Sequence, residues 1–402
     1  MTEAQGADVL IGIVAPANTN DVLHHGEIAM EQLASTMPSL KCVIAYPRAE
    51  QELVQDTSSA AIRTLQYPLT TSETPVFPGM ARTSAYKALD SIATDLGVSA
   101  CVLIAPDLTA LDAQTIQLLT RGILQDHCDL AVSVYSVGKF EALLNSSILS
   151  PLAGALYGKR IRFPLALDFA VSPAMLSNLA IASPKPQSAS TSVVRWPTVE
   201  AVRADRIICQ TRVPIRHPSQ ADGFELSAVL SGLLGSLFSE IESNASIWQR
   251  IRGSHDVPFL GNDVAKDVPH SDSIDVRPLI ESFQLGVRNL QEVWGLVLPP
   301  ITLLELKRLT RLPAESFHIP DEMWVRIVYD FALAYRLRTI SRTHILGAFT
   351  PLYLGWVASY ATEVSAQTAE DAEVRLGQLA RAYEAGKPYL LSRWRWPDRF
   401  NP

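Results

Sequence analysis

Two residues that can bind a metal ion follow apolar runs in the sequence. Asp107 comes just after the run Cys101–Ala105, and His217 follows the strand-like segment Arg206–Val213. Hard cations such as Mg²⁺ take carboxylate oxygens, and a neutral imidazole can complete such a site. Asp107 and His217 are therefore candidate ligands of a divalent metal ion. The alternatives are an aspartate that caps the turn into the next helix and a histidine in an ordinary surface loop.

A carboxylate inside an apolar segment is the candidate catalytic residue. Asp168 has apolar residues on both sides within Arg162–Ser172, and burying an unpaired carboxylate is costly. Its side chain must therefore point into a polar cleft or pair with a cation, such as Arg160 or Arg162. Active sites are one place where such costs are tolerated. We predict that Asp168 is catalytic and lines a cleft, with a buried salt bridge as the alternative.

The turn Phe77–Ser84 has features of a phosphate-binding site. Gly79 precedes a predicted helix, whose first backbone N–H groups and dipole attract anions. Arg82 can add a bidentate phosphate contact, and an ordinary glycine turn is the alternative. The sequence has neither a Walker lysine motif nor G-x-G-x-x-G, which argues against P-loop and Rossmann dinucleotide sites. G-x-S-x-G is also absent, which disfavours a hydrolase.

The first half of the chain must position these residues, and it alternates short apolar runs with amphipathic segments. This alternation indicates a mainly parallel sheet covered by helices on both faces. Such sheets bind ligands at the carboxyl ends of their strands. The helix predicted over Ser84–Leu96 should end at Gly97 in the left-handed conformation. The predicted strands are Asp8–Val14, Leu40–Tyr46, Ile62–Leu69, Cys101–Ala105 and Asp129–Val137.

The second half of the chain is predicted to be mostly helical. Phe224–Arg250 has the pattern of one long helix, and Gly253–Asp275 has the composition of a linker. The helix predicted over Asp321–Ile340 has one apolar face. We expect an α/β domain over residues 1–250 and a helical C-terminal region over residues 276–402. The apolar face of that helix comprises Trp324, Ile327, Val328, Phe331 and Tyr335, and the helices predicted after it are Thr343–Ala361 and Thr368–Tyr383.

The composition is that of an ordinary globular protein. Of the 402 residues, 19% are charged and 48% are apolar, and the formal net charge is −7. No Lys/Arg-rich run occurs, which argues against nucleic acid as a partner. No stretch approaches the roughly 20 apolar residues of a membrane span, and the acidic, polar start does not fit a signal peptide. We therefore expect a cytoplasmic protein without a transmembrane segment.

The order of several segments resembles that of GT-A-fold glycosyltransferases, the group that includes glucosylglycerate, mannosylglycerate and glucosyl-3-phosphoglycerate synthases. The resemblance runs over most of the chain, and it rests on the order of the segments because no single one is diagnostic. It implies an α/β, GT-A-like fold. The matching segments are PLAGALYGKRIRFPLALDFAVS (Pro151–Ser172), RIICQTRVPIRHP (Arg206–Pro218), MWVRIVYDFALAY (Met323–Tyr335), FTPLYLG (Phe349–Gly355) and EAGKPYLLSRW (Glu384–Trp394).

The resemblance also implies a site and its ligands. The family uses a nucleotide-diphosphate sugar as donor, a small acceptor such as glycerate, and Mg²⁺ or Mn²⁺ as cofactor. The second aspartate of its Asp-x-Asp metal motif falls on Asp107, and the later histidine ligand falls on His217. The acidic residue that faces the sugar falls on Asp168.

This chain departs from the family pattern at three places. Ala105 stands where the first aspartate of the metal motif would be. The family's Gly-Lys-Gly turn near the donor diphosphate corresponds to Gly79–Ala81, in which Met80 replaces the lysine, and Arg82 is a candidate substitute. The Pro/Asn-rich turn after the first strand is altered and ends at Asn18, a candidate donor contact. These changes remove charge from a site where charge must be neutralised.

Two functions follow from these observations. The first is an enzyme, a hexosyltransferase, for which the family resemblance implies retention of configuration. The second is a catalytically degenerate relative that binds a nucleotide sugar or a partner protein without turnover, and Ala105 and Met80 motivate it. The oligomeric state is open, and a homodimer is one of the options.

Overall fold

The computed structural model describes residues 6–48, 62–69, 81, 83–181, 194, 196–216, 226–261 and 273–396 of the chain. The chain forms two compact units. Unit 1 comprises Met1–Ser136, Arg162–Pro218 and Val257–Val268, and unit 2 comprises Val137–Ile161, Ser219–Asp256 and Pro269–Pro402. The domain boundaries expected from the sequence, 1–250 and 276–402, remain a prediction.

The strands lie where the sequence has its short apolar runs. All five strands predicted from the sequence are present as the first five strands of the fold. In chain order the described strands are β1 Val9–Ile13, β2 Cys42–Pro47, β3 Thr64–Tyr67, β4 Ala100–Ile104, β5 Leu130–Ser136, β6 Lys159–Arg160, β7 Phe169–Val171, β8 Ile208–Arg216, β9 His255–Asp256 and β10 Phe259–Leu260.

Helices connect the strands of unit 1 and make up most of unit 2. A π-helical turn, Asn145–Leu149, precedes α4, and a 3₁₀ turn, Ala314–Ser316, precedes α12. In chain order the described helices are α1 Thr19–Thr36, α2 Thr83–Leu96, α3 Ala113–Leu124, α4 Ser150–Tyr157, α5 Pro173–Ile181, α6 Pro197–Arg203, α7 Leu226–Ser243, α8 Ala245–Trp248, α9 Arg277–Asn289, α10 Gln291–Val297, α11 Pro300–Leu309, α12 Asp321–Leu337, α13 Arg342–Gly347, α14 Thr350–Val364 and α15 Ala369–Arg395.

Unit 1 is built on an eight-stranded sheet with the strand order β10-β8-β5-β7-β4-β1-β2-β3. Neighbouring strands run parallel except for β7, which is antiparallel to both β4 and β5. Every residue of β1 and β4 is buried, as expected for strands that have helices on both faces. The expectation of a mainly parallel α/β sheet with helices around it, followed by a helical C-terminal region, is therefore confirmed.

Four details differ from the sequence prediction. The segment predicted as one helix, Thr343–Ala361, is divided between α13 and α14 by a turn at Ala348 and Phe349. The described part of the segment predicted as one helix, Phe224–Arg250, is two helices, because the chain leaves the helix between α7 and α8, at Asn244. The described part of the predicted linker contains β9 and β10. Helix α15 continues to Arg395 although Pro388 lies inside it, since buried residues recur along one face up to its last turn. Those residues are Tyr383, Lys387, Leu390 and Trp394.

Helix α12 forms the centre of the unit 2 core. Trp324, Ile327, Val328 and Phe331 are each 0% exposed, and Tyr335 is 2% exposed. Phe349, at the start of α14, packs edge-on against Phe331 with ring centroids 5.0 Å apart. The apolar face predicted from the 3.6-residue period is therefore confirmed. Among the described helices, none is long and apolar enough to cross a membrane.

Two glycines with left-handed backbones allow a matched test of packing. Gly97 after α2 has φ +64 as predicted, and an added Cβ would meet nothing within 4 Å. Gly158 after α4 has φ +73, and an added Cβ would approach Ile251 Cγ2 at 2.8 Å and Gly253 O at 3.1 Å. We expect Gly97→Ala to cost about 1 kcal/mol of unfolding free energy from the backbone alone. Overpacking should add about 1–3 kcal/mol in Gly158→Ala.

Urea denaturation of the two glycine variants checks this expectation. Equal losses of unfolding free energy in both variants would show that the side chain of Ile251 moves aside without cost.

Candidate active site at the carboxyl edge of the unit 1 sheet

Asp107 lies on an exposed turn just after β4. Its Oδ1 accepts hydrogen bonds from the Thr109 backbone N–H at 3.4 Å and from the Thr109 hydroxyl at 3.2 Å. Leu108 between them has φ +60, which the turn imposes. Only Oδ1 accepts hydrogen bonds from the described part of the chain, and the side chain is exposed, so Oδ2 is available to a cation. The N-cap of the next helix, α3, is Asp112, so Asp107 shapes the turn without capping that helix.

Asp168 lies at the same edge of the sheet because β7 runs antiparallel to its neighbours. Phe169 pairs with Leu103 of β4 and with Val132 of β5. The residue before Phe169 therefore lies at the end of β4 and beside the last residues of β5. The Asp168 side chain is 0% exposed. Its Oδ1 accepts the backbone N–H of Ala105 at 2.8 Å, and its Oδ2 accepts the hydroxyl of Tyr135 at 3.0 Å.

The hydrogen-bond partners of Asp168 in the described residues are neutral donors, so the structure does not show the salt bridge that was the alternative interpretation of this residue. Arg160 pairs instead with Asp256 and Glu384, each at 3.2 Å. The guanidinium of Arg162 lies 5.8 Å from the centre of the Phe163 ring. Hydrogen bonds from two neutral donors occupy both oxygens of the carboxylate, but these donors bring no positive charge to compensate its negative charge.

Tyr135 of β5 is the member of this site that the sequence analysis missed. Its oxygen accepts the backbone N–H groups of Leu167 at 3.0 Å and Asp168 at 2.9 Å, and its proton goes to the Asp168 carboxylate. Its ring packs edge-on against Phe163 with centroids 5.1 Å apart. The sequence did contain a signal for this residue, which was a tyrosine at the end of an apolar strand. The hydroxyl of a buried tyrosine needs a hydrogen-bond partner.

The electrostatics of the pair follow from its burial. Desolvation is the main cause that raises the pKa of Asp168 to about 7, and the negative charge of Asp107 adds to this. The hydrogen bonds from Ala105 and Tyr135 oppose the rise because they stabilise the charged form. Desolvation and the carboxylate of Asp168 also raise the pKa of Tyr135 well above its usual range. Asp168 therefore titrates near neutral pH while Tyr135 keeps its proton.

We expect the Asp168 carboxyl ¹³C resonance to titrate near pH 7. Its folded-state pKa lies above the ordinary value of 3.8, so the stability that it contributes is full below about pH 4 and is lost as the pH rises through about 7. Burial also raises the pKa of Asp330 in unit 2 to about 7, so Asp168→Asn and Asp330→Asn are needed to assign the two signals. A resonance assigned to Asp168 that titrates near pH 4 would contradict the expectation.

Of the other predicted site residues, the structure describes Asn18. Asn18 is the N-cap of α1, where its Oδ1 accepts the N–H groups of Asn20 at 2.9 Å and Asp21 at 3.4 Å. Its Nδ2 has no hydrogen bond to the described residues, so the donor-contact role remains a prediction. Gly79, Arg82 and His217 lie outside the described residues. The expected metal geometry between Asp107 and His217 is therefore untested.

A shallow cleft beside Asp168 brings the end of the predicted phosphate turn close to this site. Ala81 lines it together with Tyr86 of α2 and Leu165–Leu167, the residues just before Asp168. No group of three or more His, Cys, Asp or Glu side chains with metal-binding geometry occurs among the residues that the structure describes. Asp107 is an exposed carboxylate at this edge of the sheet.

No protein-family model and no curated protein matches this chain. Solved structures do match. A glucosyl-3-phosphoglycerate synthase from Mycobacterium tuberculosis, in complex with phosphoglyceric acid, is 16% identical, with 58% of this chain and 80% of that chain covered and a TM-score of 0.39. The same enzyme with Mn²⁺, UDP-glucose and phosphoglyceric acid is 16% identical, with coverages of 60% and 81% and a TM-score of 0.36.

A nucleotide-diphospho-sugar transferase from Desulfovibrio desulfuricans G20 is 12% identical, with coverages of 63% and 100% and a TM-score of 0.30. The structural neighbours are thus nucleotide-sugar transferases. TM-scores and identities this low do not assign a family or a site to this chain.

Proposed function

We propose that this protein is a glycosyltransferase that moves a hexose from a nucleotide-diphosphate sugar to a small acceptor such as glycerate. The observation that carries the proposal is the position of the exposed Asp107 just after β4, where only Oδ1 accepts hydrogen bonds from the described residues. Open α/β sheets bind their ligands at this edge. The resemblance of the ordered sequence segments to those of GT-A glycosyltransferases supports glycosyl transfer as the reaction class.

A divalent metal ion fits this donor set. Mg²⁺ is commonly held by one or two carboxylates together with substrate phosphate oxygens, and Asp107 offers one exposed carboxylate. His217 is the proposed second protein ligand. When bound, Mg²⁺ or Mn²⁺ supplies positive charge to the departing diphosphate.

The chain's own residues have separate proposed roles. Asp107 binds and orients the ion. The backbone at Gly79 and the guanidinium of Arg82 bind the diphosphate, and Arg82 supplies the positive charge that Met80 lacks. Asn18 contacts the donor at the end of β1. A direct contact between Asp168 and the sugar remains a prediction, and the carboxylate would need to gain access to the cleft, because it is 0% exposed.

The second candidate is a degenerate relative that binds a nucleotide sugar or a partner protein without turnover. Two observations favour it. Ala105 stands where the family resemblance places one carboxylate of the metal motif, and the carboxylate of Asp168 is buried with both oxygens hydrogen-bonded. A site with less charge can still bind a diphosphate nucleotide, but it stabilises its departure less well.

A thermal-shift screen with UDP- and GDP-sugars, with and without Mg²⁺ or Mn²⁺, tests the proposal. A ligand that binds only the folded state raises the melting temperature by an amount that grows with its concentration. We expect at least one donor to do so in a metal-dependent way, and nucleoside diphosphate to be released when glycerate or phosphoglycerate is added. Binding without release would support the degenerate relative. Absence of both binding and release would reject the transferase and the nucleotide-sugar-binding form of the degenerate relative, and would leave the form that binds a partner protein.

A further inference from the structure

The buried carboxylate of Asp168 is attached to the turn that carries Asp107. Its Oδ1 accepts the N–H of Ala105 at 2.8 Å, two residues before Asp107. Ala105 is only 1% exposed, and it occupies the position of the missing metal-motif carboxylate. A backbone N–H that donates to a carboxylate makes a stronger hydrogen bond than a neutral pair does. Asp168 therefore restrains the start of the turn.

Tyr135 in turn holds Asp168 in position through hydrogen bonds. The phenol oxygen receives the N–H groups of Leu167 and Asp168, which uses both of its lone pairs, and its own proton is donated to Asp168 Oδ2. Backbone and side chain of Asp168 are thus held by one hydroxyl. Tyr135 comes from β5, Asp168 precedes β7, and Ala105 follows β4, so the three hydrogen-bonded groups join the ends of three adjacent strands.

We propose that Asp168 and Tyr135 are positioning residues, which act through the Ala105–Asp107 turn to aim the Asp107 carboxylate and do not touch the sugar. The inference deepens the proposed function and rests on it for the ligand that Asp107 meets. Its support is that Asp168 has no exposed surface while one of its oxygens holds the backbone of the turn. A carboxylate that contacted the sugar would instead present an oxygen to the cleft.

The two roles predict different binding patterns, which calorimetry can measure with UDP or GDP and with the corresponding nucleotide sugars, each with Mn²⁺. A positioning residue affects the diphosphate site. Tyr135→Phe removes a hydroxyl that makes three hydrogen bonds, so it should weaken binding of the nucleoside diphosphate and of the nucleotide sugar by the same factor, about tenfold or more. In an Asp107→Asn background the same change should have no further effect. If Tyr135→Phe or Asp168→Asn weakens only the nucleotide sugar, Asp168 contacts the sugar and the inference is wrong.

Tyr329→Phe is the matched control. Tyr329 is a buried phenol in α12 that donates to the Tyr383 carbonyl at 2.6 Å, so this variant also loses one buried hydroxyl. It should leave binding of both ligands unchanged. Asp168→Asn is the second variant. Its Oδ1 can still accept from Ala105, but its Nδ2 would face a Tyr135 oxygen whose lone pairs are occupied, so it should resemble Tyr135→Phe.

Amide hydrogen exchange tests the inference even if wild-type protein binds none of the ligands, a result that would reject the proposed function alone. The Ala105 N–H is protected by Asp168, so Tyr135→Phe should speed its exchange at least tenfold relative to wild type. Tyr329→Phe should not change the exchange at Ala105. Equal exchange rates at Ala105 in wild type and Tyr135→Phe would overturn the positioning role.

Discussion

Asp107→Asn is expected to lower turnover by about 10²- to 10³-fold, the usual loss of about 3–4 kcal/mol when one preorganised electrostatic group is removed from an active site. Asparagine keeps Oδ1, so the hydrogen bonds from the N–H and the hydroxyl of Thr109 can remain. The variant therefore changes the charge at the end of β4 and leaves the turn in place. Release of nucleoside diphosphate, measured with and without Mg²⁺ or Mn²⁺, checks the expectation.

Asp112→Asn provides the matched control for that result. Asp112 is the N-cap of α3 and accepts the Thr115 N–H at 3.0 Å, and asparagine is an equally good N-cap. The control thus removes the same charge five positions further along the chain, and turnover should be unchanged. Turnover that survives Asp107→Asn and chelation of metal would reject the metal role of Asp107 while keeping the enzyme. If wild-type protein binds a nucleotide sugar but releases no product, the degenerate relative is the better description.

Lys387→Met is expected to cost about 3–5 kcal/mol of unfolding free energy, because three backbone carbonyl oxygens lose their donor and each buried acceptor left unsatisfied costs about 1–3 kcal/mol. Lys387 of α15 is 5% exposed, and its ammonium donates to the carbonyls of Ile251 at 2.7 Å, Ala155 at 2.8 Å and Leu156 at 3.4 Å. Burial lowers its pKa to about 8, so at pH 7 it remains mostly protonated with three donors. Methionine fills a similar volume and leaves the three carbonyls without that donor.

Lys139→Met is the control for burial. The ammonium of Lys139 also donates to three carbonyls, those of Val364 at 3.3 Å, Ser365 at 3.0 Å and Gln367 at 3.0 Å, but its side chain is only half-buried. Water can replace the lost donor there, so we expect a cost of about 1 kcal/mol. Urea denaturation of both variants at pH 7 compares them. Similar losses in the two would show that burial of the carbonyls does not set the cost.

The sequence by itself determined the architecture of this protein. Apolar runs such as Val9–Ile13 and Ala100–Ile104 contain too few polar groups for a surface strand, so they had to be central and covered on both faces. The 3.6-residue period placed Trp324, Phe331 and their neighbours in the core of unit 2. The left-handed backbone of Gly97 followed from its place after a helix. Each of these conclusions depends on local pattern and burial, which the chain encodes directly.

Other conclusions depended on residues that are distant in sequence. Asp168 and Ala105 are 63 positions apart and Asp168 and Tyr135 are 33 apart, and no spacing rule connects them. These hydrogen bonds depend on the antiparallel insertion of β7 between β4 and β5. A strand of only three residues is too short for the sequence pattern to predict that insertion. A polar side chain in an apolar run shows only that a partner is needed. Which partner satisfies it, a cation or the neutral N–H and O–H groups found here, is decided by which strand ends the fold brings together.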